Sequence, residues 1–301
     1  MKSLVAAGSV AVPTSFVGVP VVEGQQPSSI RDLIPTAALT GTDRYGYLRQ
    51  SVRTNNAATV SAGSVKPTSV YTVQRIEDRA RTIAHLSEPI NKNDLADATA
   101  LQSFVDSELR YGLSMECESQ ILTGDGDTSA GLDNMEGILE VEGTTPVPFD
   151  LDLVATTRHA VTLQQLLGNV PSAWAFHPSD WELFELLTDD VGRPLTNVNS
   201  PVNVAQKLLW GLPVVVSAHL PLGSAILGDW SGSALLYVRQ QATVDWSENV
   251  FRPDAISPGV GASDFSRNLI SFRAEERVGL AILRPSAFSV VDVVMPAPSG
   301  G

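Results

Sequence analysis

The stretch "YGYLRQSVRTNNAATVSAGSVKPTSVYTVQRI" (residues 45–76) has β-type residues at both ends and a middle rich in glycine, serine and asparagine. This pattern predicts a long two-stranded hairpin. Its outer part, residues 55–69, contains few large apolar side chains, so it has little core of its own and should project from the body. The tip carries Lys66, one of four lysines in a chain in which arginine is four times as common. A lysine kept at such a tip raises the question of a chemical role for its amine.

A long helix is the strongest helical signal. Asn93 or Asp94 can cap its start, and apolar residues follow at spacings of three and four, near one face. These are Leu101, Phe104, Val105, Leu109, Leu113 and Ile121. From Asp97 to Leu122 the helix would be about 39 Å long, at about 1.5 Å per residue. The turn residues "TGDGDTSAG" then end the helix, because the alternative, a calcium loop, lacks the later ligands and the glutamate of an EF-hand.

The second half of the chain alternates between helix and strand patterns. A helix is predicted around residues 156–167, followed by the strand "SAWAFHP" (172–178). A further helix is predicted in "SDWELFELL" (179–187), where Ser179 and Glu182 have the spacing of a capping box. Short strands separated by glycine and proline turns follow, and residues 268–294 have a strand pattern. The sequence therefore predicts an α+β fold.

Composition narrows the classes of function. The formal net charge of -13 argues against a protein that grips nucleic acid by counterion release, because that mode needs clustered lysine and arginine. Cys117 is the single cysteine, so no intrachain disulfide can form, and an intracellular origin fits. The histidines have no metal-ligand spacing, and neither a G-x-S-x-G elbow nor a Walker A pattern is present. No metal or cofactor is predicted, and a conventional hydrolase or metalloenzyme has little support.

The first 29 residues are small and apolar, with interruptions at Pro13 and Pro20. A secretory signal is the alternative interpretation. However, the prolines break any helix, and no uninterrupted run approaches the ~20 residues of a membrane span. The segment is predicted to be an extended arm that lies on something else.

Lys66 can be combined with Asn268 and Glu275 in a chemical hypothesis. A neutral lysine amine attacks the asparagine side-chain carbonyl, ammonia leaves, and the glutamate carries the proton. This requires that Lys66 is desolvated so that its lone pair is free. On one strand, the odd spacing would put Asn268 and Glu275 on opposite faces. The alternative is a solvated lysine, a surface asparagine and a carboxylate paired with Arg277.

Short motifs along nearly the whole chain match those of one family. In order they are "IRDL" at Ile30, "TNNA" at Thr54, "KP" at Lys66, "TIAH" at Thr82, "LQSF" and "YGL" in the long helix, "LTGDG" at Leu122, "HPSDW" at His177, "LWGLPVV" at Leu209, "ATV" at Ala242, "EER" at Glu275 and "RP" at Arg284. Each motif is weak alone, but their order and intervals together are specific. The chain resembles the major capsid protein of tailed double-stranded DNA bacteriophages, of the Hong Kong 97 type.

The resemblance implies a Hong Kong 97-type capsid fold with five regions. Residues 1–29 would form an N-terminal arm across neighbouring subunits, and residues 30–80 a linker and the extended hairpin called the E-loop. Residues 81–132 would form the peripheral domain, with the long helix as its spine, and residues 133–240 the axial domain near capsomer centres. Residues 241–301 would return to the peripheral domain as its C-terminal strands.

The resemblance also implies a function. The chain would assemble with copies of itself, as hexamers and pentamers, into the icosahedral shell around a double-stranded DNA phage genome. In the cross-linking branch of the family, an E-loop lysine joins an asparagine of a neighbouring subunit, and a glutamate shuttles the proton. Lys66, Asn268 and Glu275 match these motif positions, although Arg273 and Gln240 stand where the family's reaction pocket is apolar. Apart from this single-turnover autocatalytic isopeptide bond, the protein is not expected to be an enzyme.

The same resemblance suggests further partners. These are portal, scaffolding or protease proteins during assembly, a decoration protein as an additional candidate, and packaged DNA bound without sequence specificity. The protein is expected to assemble in the host cytoplasm and to reside in the virion capsid, without a membrane. No scaffolding segment fits before the arm, so we expect either a mature product or a separate scaffolding protein. Two alternatives remain: an encapsulin-like nanocompartment shell and, from a different class, a soluble enzyme with an unrecognised site.

Overall fold

The computed structural model describes residues 23–26, 29–97, 99–129, 131–188, 202–203, 207–253 and 261–294. The predicted N-terminal arm lies outside the described residues, except for residues 23–26 and 29. Helices and sheets both occur in the described part of the chain, which confirms the α+β prediction. None of the helices described there is long and apolar enough to cross a membrane.

The secondary structure follows the predicted order. The α-helices of the described residues are Lys92–Asp97, Thr99–Thr123 (the long helix), Leu153–Leu166, Pro178–Glu185 and Trp230–Ser233, and the 3-10 helices are Ile30–Leu33, Asp264–Arg267 and Pro285–Ala287. The strands are Thr36–Ala38, Arg44–Thr54, Val70–Arg79, Arg81–Leu86, Ile90–Asn91, Thr145–Val147, Ala173–Phe176, Val202–Asn203, Leu208–Leu209, Leu212–Val216, Ser224–Gly228, Ala234–Ser247, Phe251–Pro253, Gly261–Ser263, Leu269–Ile282 and Phe288–Asp292.

The first sheet has five strands within the described residues. Two long strands, Ala234–Ser247 and Leu269–Ile282, run antiparallel at its centre, and Thr36–Ala38 and Arg81–Leu86 flank them. Ile90–Asn91 pairs with the start of Leu269–Ile282. The long helix packs on one face of this sheet through a cluster formed by Leu109, Leu113, Ile270, Phe272 and Ala274. Because side chains alternate along a strand, residues 273, 275 and 277 lie on the opposite face.

The second sheet has seven strands within the described residues, in the order 145–147, 288–292, 224–228, 173–176, 212–216, 208–209 and 202–203. An aromatic cluster lies between it and the helix Pro178–Glu185. Its members are Trp174, Phe176, Trp181 and Phe184, all nearly or completely buried. The chain returns to the first sheet at Ala234 and leaves it for the last time at Ile282, and the 3-10 helix Pro285–Ala287 leads to the last strand in the second sheet. The stretch 241–301 therefore contributes strands to both sheets.

One apolar core joins the long helix to both sheets. It includes Cys117 and Ile121 from the helix, Leu236 and Leu280 from the first sheet, and Ile226 and Phe288 from the second. All of these side chains are at most 5 % exposed. The two sheets therefore fold as one body, because neither could expose its half of this core to water without a large loss of hydrophobic burial.

The end of the long helix is closed by a returning loop. The backbone N–H groups of Ile138 and Leu139 donate to the carbonyl oxygens of Ile121 and Leu122, at 2.9 and 3.0 Å. Helix ends leave such carbonyl groups without an intrahelical partner, so the loop replaces the missing hydrogen bonds. The turn predicted from "LTGDG" is confirmed, since the long helix ends at Thr123.

Cys117 should be protected from thiol reagents in the folded chain. It is fully buried, and burial raises the pKa of its thiol to about 12. The reactive species is the thiolate, so we expect alkylation at mildly alkaline pH to be about a thousandfold slower than in denaturant. Labelling with iodoacetamide, followed by intact-mass measurement, tests this, with Cys117→Ser as the blank. Equal rates in the folded and denatured chain would contradict the buried placement.

Candidate functional site

The hairpin Arg44–Arg79 projects from the body as predicted. Its two strands have 11 and 10 residues, and within the described chain they pair only with each other. Hydrogen bonds order the tip: the Asn56 side-chain amide donates to the Thr68 carbonyl oxygen at 2.7 Å, and the hydroxyl groups of Ser61 and Ser64 are 2.8 Å apart. Lys66 is exposed at this tip.

The root of the hairpin is fixed by Tyr45. This residue is buried, and its ring stacks on Tyr237 at 4.5 Å between centroids. Its hydroxyl oxygen lies 2.9 Å from the Leu280 carbonyl oxygen and 3.0 Å from Asp78 Oδ2. Burial, followed by the nearby Asp78, raises the pKa of the Tyr45 phenol, so the hydroxyl remains a donor. Gly279 makes room for the ring, because a Cβ there would lie 2.5 Å from Tyr45 Cε1.

Arg49 is a second anchor of the hairpin root. Its Nη2 donates to the Ile282 carbonyl oxygen at 2.7 Å. Both anchors contact the C-terminal end of the strand Leu269–Ile282, so the hairpin leaves the body at that end. Beyond Arg49, the five remaining residues of the strand Arg44–Thr54 (50–54) carry the chain about 17 Å further toward the tip, at about 3.3 Å per residue.

Asn268 lies immediately before this strand and has a left-handed backbone, with φ 55° and ψ 39°. Asparagine is one of the few residues that tolerate this conformation. Its backbone N–H donates to the Phe265 carbonyl oxygen at 3.4 Å, and its carbonyl oxygen accepts from the Lys92 N–H at 2.8 Å. The residue is exposed, so a backbone held on both sides presents the side-chain amide to solvent.

Glu275 lies at the middle of the first sheet, between Thr243 and Ala84 of the neighbouring strands. Its side chain is 24 % exposed, and its Oε2 is 3.6 Å from Arg273 Nε. Arg273 Nη2 is also 3.4 Å from Asp245 Oδ2. The alternative interpretation of the sequence, in which Glu275 pairs with Arg277, was wrong about the partner, because the ion pair is with Arg273.

Glu275 therefore has polar neighbours. Besides Arg273, the Gln240 side-chain amide donates to Thr243 Oγ1 at 3.1 Å, and Thr243 pairs directly with Glu275. Within the described residues, no group of three histidine, cysteine, aspartate or glutamate side chains could hold a metal ion. The surface around Glu275 is therefore polar and holds a partly exposed carboxylate.

A family model described as the phage capsid family matches residues 8–293. The chain belongs to the phage capsid family. It is 30 % identical over 286 residues to the major capsid protein of Enterobacteria phage HK97, which covers 93 % of this chain and 69 % of that protein. It is therefore a phage capsid protein, a structural component of a shell in the virion.

Solved structures show the same fold. A chain from Mycobacterium phage Adephagia has a TM-score of 0.71 at 14 % identity, covering 96 % of both chains. A chain of the capsid of a native GTA particle has a TM-score of 0.63 at 15 % identity, covering 96 % of this chain and 100 % of that one. Together with the family match, these likenesses confirm the Hong Kong 97-type capsid fold predicted from the sequence.

Within one copy of this capsid protein, the three predicted site residues lie apart. Asn268 and Glu275 are separated by seven strand residues, about 23 Å at about 3.3 Å per residue. Lys66 is at the tip of a hairpin whose root contacts residue 279, so its own Glu275 is near the root and not the tip. A reaction that needs all three side chains in contact cannot take place inside a single copy.

The sequence did not reveal Tyr45 and Gly279, the residues that hold the root of the hairpin against the body of this capsid protein. Tyr45 and Gly279 are separated by more than 230 positions in the chain, and neither stands in a recognisable motif. The one signal available was a glycine inside a strand pattern, which often marks a close approach by another group.

Proposed function

We propose that the chain is a major capsid protein whose copies assemble as hexamers and pentamers into an icosahedral shell around a double-stranded DNA phage genome. The observation that carries this proposal is the hairpin, whose strands pair only with each other in the described chain. An isolated two-stranded hairpin is marginally stable in water. A second copy of the chain supplies the missing burial.

One face of the hairpin is suited to such a contact. Tyr71 and Val73 lie on the same face because they are two positions apart, and Leu48 lies there too because it pairs with Arg75. These three apolar side chains are 59 %, 57 % and 69 % exposed. A row of exposed apolar residues on a projecting element is typical of a surface that another protein covers.

We assign the first sheet and the long helix to the peripheral domain, and the second sheet with its helices to the axial domain. This assignment follows the predicted regions 81–132 and 133–240, with three adjustments. The strands Thr36–Ala38 and Ala234–Ser247 join the peripheral domain, and the strand Phe288–Asp292 joins the axial domain. Residues 1–29 form the N-terminal arm, and residues 30–80 contain the E-loop.

We further propose that neighbouring copies form isopeptide cross-links. The Lys66 Nζ attacks the Asn268 side-chain carbonyl carbon, a new C–N bond forms, and the bond to the amide nitrogen breaks. Glu275 takes the proton from the amine and returns it to the leaving nitrogen, which departs as ammonia. Because the three residues lie apart in one copy, each site takes Lys66, Asn268 and Glu275 from three different copies.

The remaining partners follow from this function. Portal, scaffolding or protease proteins act during assembly in the host cytoplasm, and a decoration protein is a further candidate. The net charge of -13 supports a container that encloses DNA without gripping it.

Sedimentation and electron microscopy of the purified chain test the proposal. We expect closed megadalton particles built from one polypeptide. A small discrete oligomer with a ligand pocket would contradict the proposal and favour a soluble enzyme. Particles from infected cells that enclose enzymes and no DNA would instead favour an encapsulin-like nanocompartment.

A further inference from the structure

We propose that two buried carboxylates, Glu118 of the long helix and Glu276 of the first sheet, form a latch that holds Gln25, Gln26 and residues 29–34 to the body. The latch fixes the point at which the N-terminal arm leaves the folded domain. Only the role of the preceding residues as an arm rests on the proposed function. The latch itself is a property of the folded chain.

Glu118 is the centre of the first half of the latch. It is 1 % exposed, and its two oxygens accept from four donors in two separate parts of the chain, residues 26–30 and Ser217. Oε2 accepts from the hydroxyl of Ser29 and, at 3.2 Å, from the N–H of Ile30. Oε1 accepts from the hydroxyl of Ser217 and, at 3.4 Å, from the side-chain amide of Gln26. No Lys, Arg or His of the described residues forms an ion pair with this carboxylate, so its burial depends on these donors.

The residues just before Ser29 are held by the same region. Gln26 donates its backbone N–H to the Tyr111 hydroxyl at 3.1 Å and its side-chain amide to the Val216 carbonyl oxygen at 2.9 Å. Gln25 donates to Glu108 Oε1 at 3.2 Å. The segment is therefore fastened to the long helix and to the second sheet at the same time.

Glu276 is the centre of the second half. It is 1 % exposed and accepts from both terminal nitrogens of Arg31, at 3.1 to 3.2 Å. Burial raises the pKa of Glu276 even though Arg31 acts in the opposite direction. A departure of Arg31 would leave this carboxylate buried without its cation, which is costly. Ile30 and Ile34, at 0 % and 4 % exposure, add apolar burial on either side of Arg31.

If the segment gives up its contacts one at a time, each step leaves a buried carboxylate with fewer partners. Releasing Ser29 and Ile30 leaves Glu118 short of two donors, and releasing Arg31 leaves Glu276 with the Cys117 thiol as a partner but without a cation. The latch therefore keeps residues 29–34 with the body. A loss of either carboxylate should free the root of the arm while the two sheets stay folded.

Limited digestion with trypsin gives a direct readout. Between residues 3 and 31 the only lysine or arginine is Arg31, which the latch holds. We expect Glu118→Ala to release the peptide that ends at Arg31 about tenfold faster than the wild-type chain, a change that corresponds to about 1.4 kcal/mol. Ser29→Ala, a smaller change that removes one donor, should give an intermediate acceleration if Glu118→Ala does not fold. Glu116→Ala is the matched control, because Glu116 is exposed on the same helix.

Cleavage after Arg110, in the middle of the long helix, serves as an internal standard. The latch predicts faster cleavage after Arg31 with an unchanged rate after Arg110. Equal acceleration at both sites would mean that Glu118 supports the whole fold, and unchanged rates in Glu118→Ala and Ser29→Ala would mean that it holds nothing; either result overturns the latch. Sedimentation of the same wild-type sample reports separately on shell formation, so a failure of the proposed function does not interfere with this test.

Discussion

Wild-type shells boiled in denaturant with reductant should run as a ladder of multimers on a gel, and Lys66→Ala shells should run as a single band at the monomer mass. The expected effect is complete, because the amine of Lys66 supplies the new bond and alanine has no nucleophile. The reducing agent excludes disulfides, and Cys117 is in any case buried. The ladder should appear without an added enzyme once shells have formed.

Lys66→Arg is the matched control for this experiment. It keeps the positive charge at the tip of the hairpin, but a guanidinium stays protonated and does not attack an amide. Shells of Lys66→Arg should therefore sediment like the wild type and still show one band. If intact wild-type shells give only the monomer band, the cross-link proposal is contradicted and the capsid role is unaffected. A ladder that persists in Lys66→Ala would assign the bond to another residue.

Gly137→Ala should prevent the chain from reaching its native stability. A Cβ at this position would lie 2.7 Å from the backbone nitrogen of Gly124 and 2.9 Å from the carbonyl carbon and oxygen of Leu122. These are backbone atoms at the end of the long helix, so a change of side-chain rotamer cannot relieve the contact. We expect the free energy of unfolding to fall by about 3 kcal/mol, and the yield of soluble chain to fall with it.

Denaturant unfolding of the unassembled chain measures this loss. Gly24→Ala is the control, because a Cβ at position 24 meets no atom within 4 Å and the residue needs no left-handed backbone. A Gly137→Ala chain as stable as Gly24→Ala would show that the returning loop moves away from the helix end. In that case the hydrogen bonds of Ile138 and Leu139 to the helix would be dispensable.

Local patterns were enough for most elements. The hairpin was predicted from residues 45–76 and occupies Arg44–Arg79, and the long helix was predicted from 97 to 122 and occupies Thr99–Thr123. Both rest on periodicity and turn composition, which act over short distances. The predicted capping box at Ser179 was wrong, since His177 is the N-cap and accepts from the Ser179 N–H at 3.1 Å. Pro178 favours the first helical position, so the cap is the residue before it.

Contacts between distant parts of the chain were beyond such reasoning. The sequence indicated Lys66, Asn268 and Glu275 by motif, but it could not show that Glu275 has Arg273 as its ion-pair partner or that Asn268 precedes the strand. Glu118 and Glu276 appeared as ordinary acidic residues of a helix and a strand. Their burial depends on donors from residues 26–31 and 217, and no local period encodes such a meeting.

In the proposed cross-link, the backbone of Asn268 sets where the electrophilic side chain begins. A left-handed conformation costs most residues roughly 1–2 kcal/mol, and asparagine pays less of this. Glycine would also satisfy the backbone, but it has no side-chain amide. The left-handed backbone therefore fixes the position of the Asn268 Cα when the chain folds, and the exposed side chain extends from that point. In the proposed cross-link, Lys66 reaches this point from the exposed tip of a neighbouring copy's hairpin, so the rate of bond formation should report on docking of that hairpin.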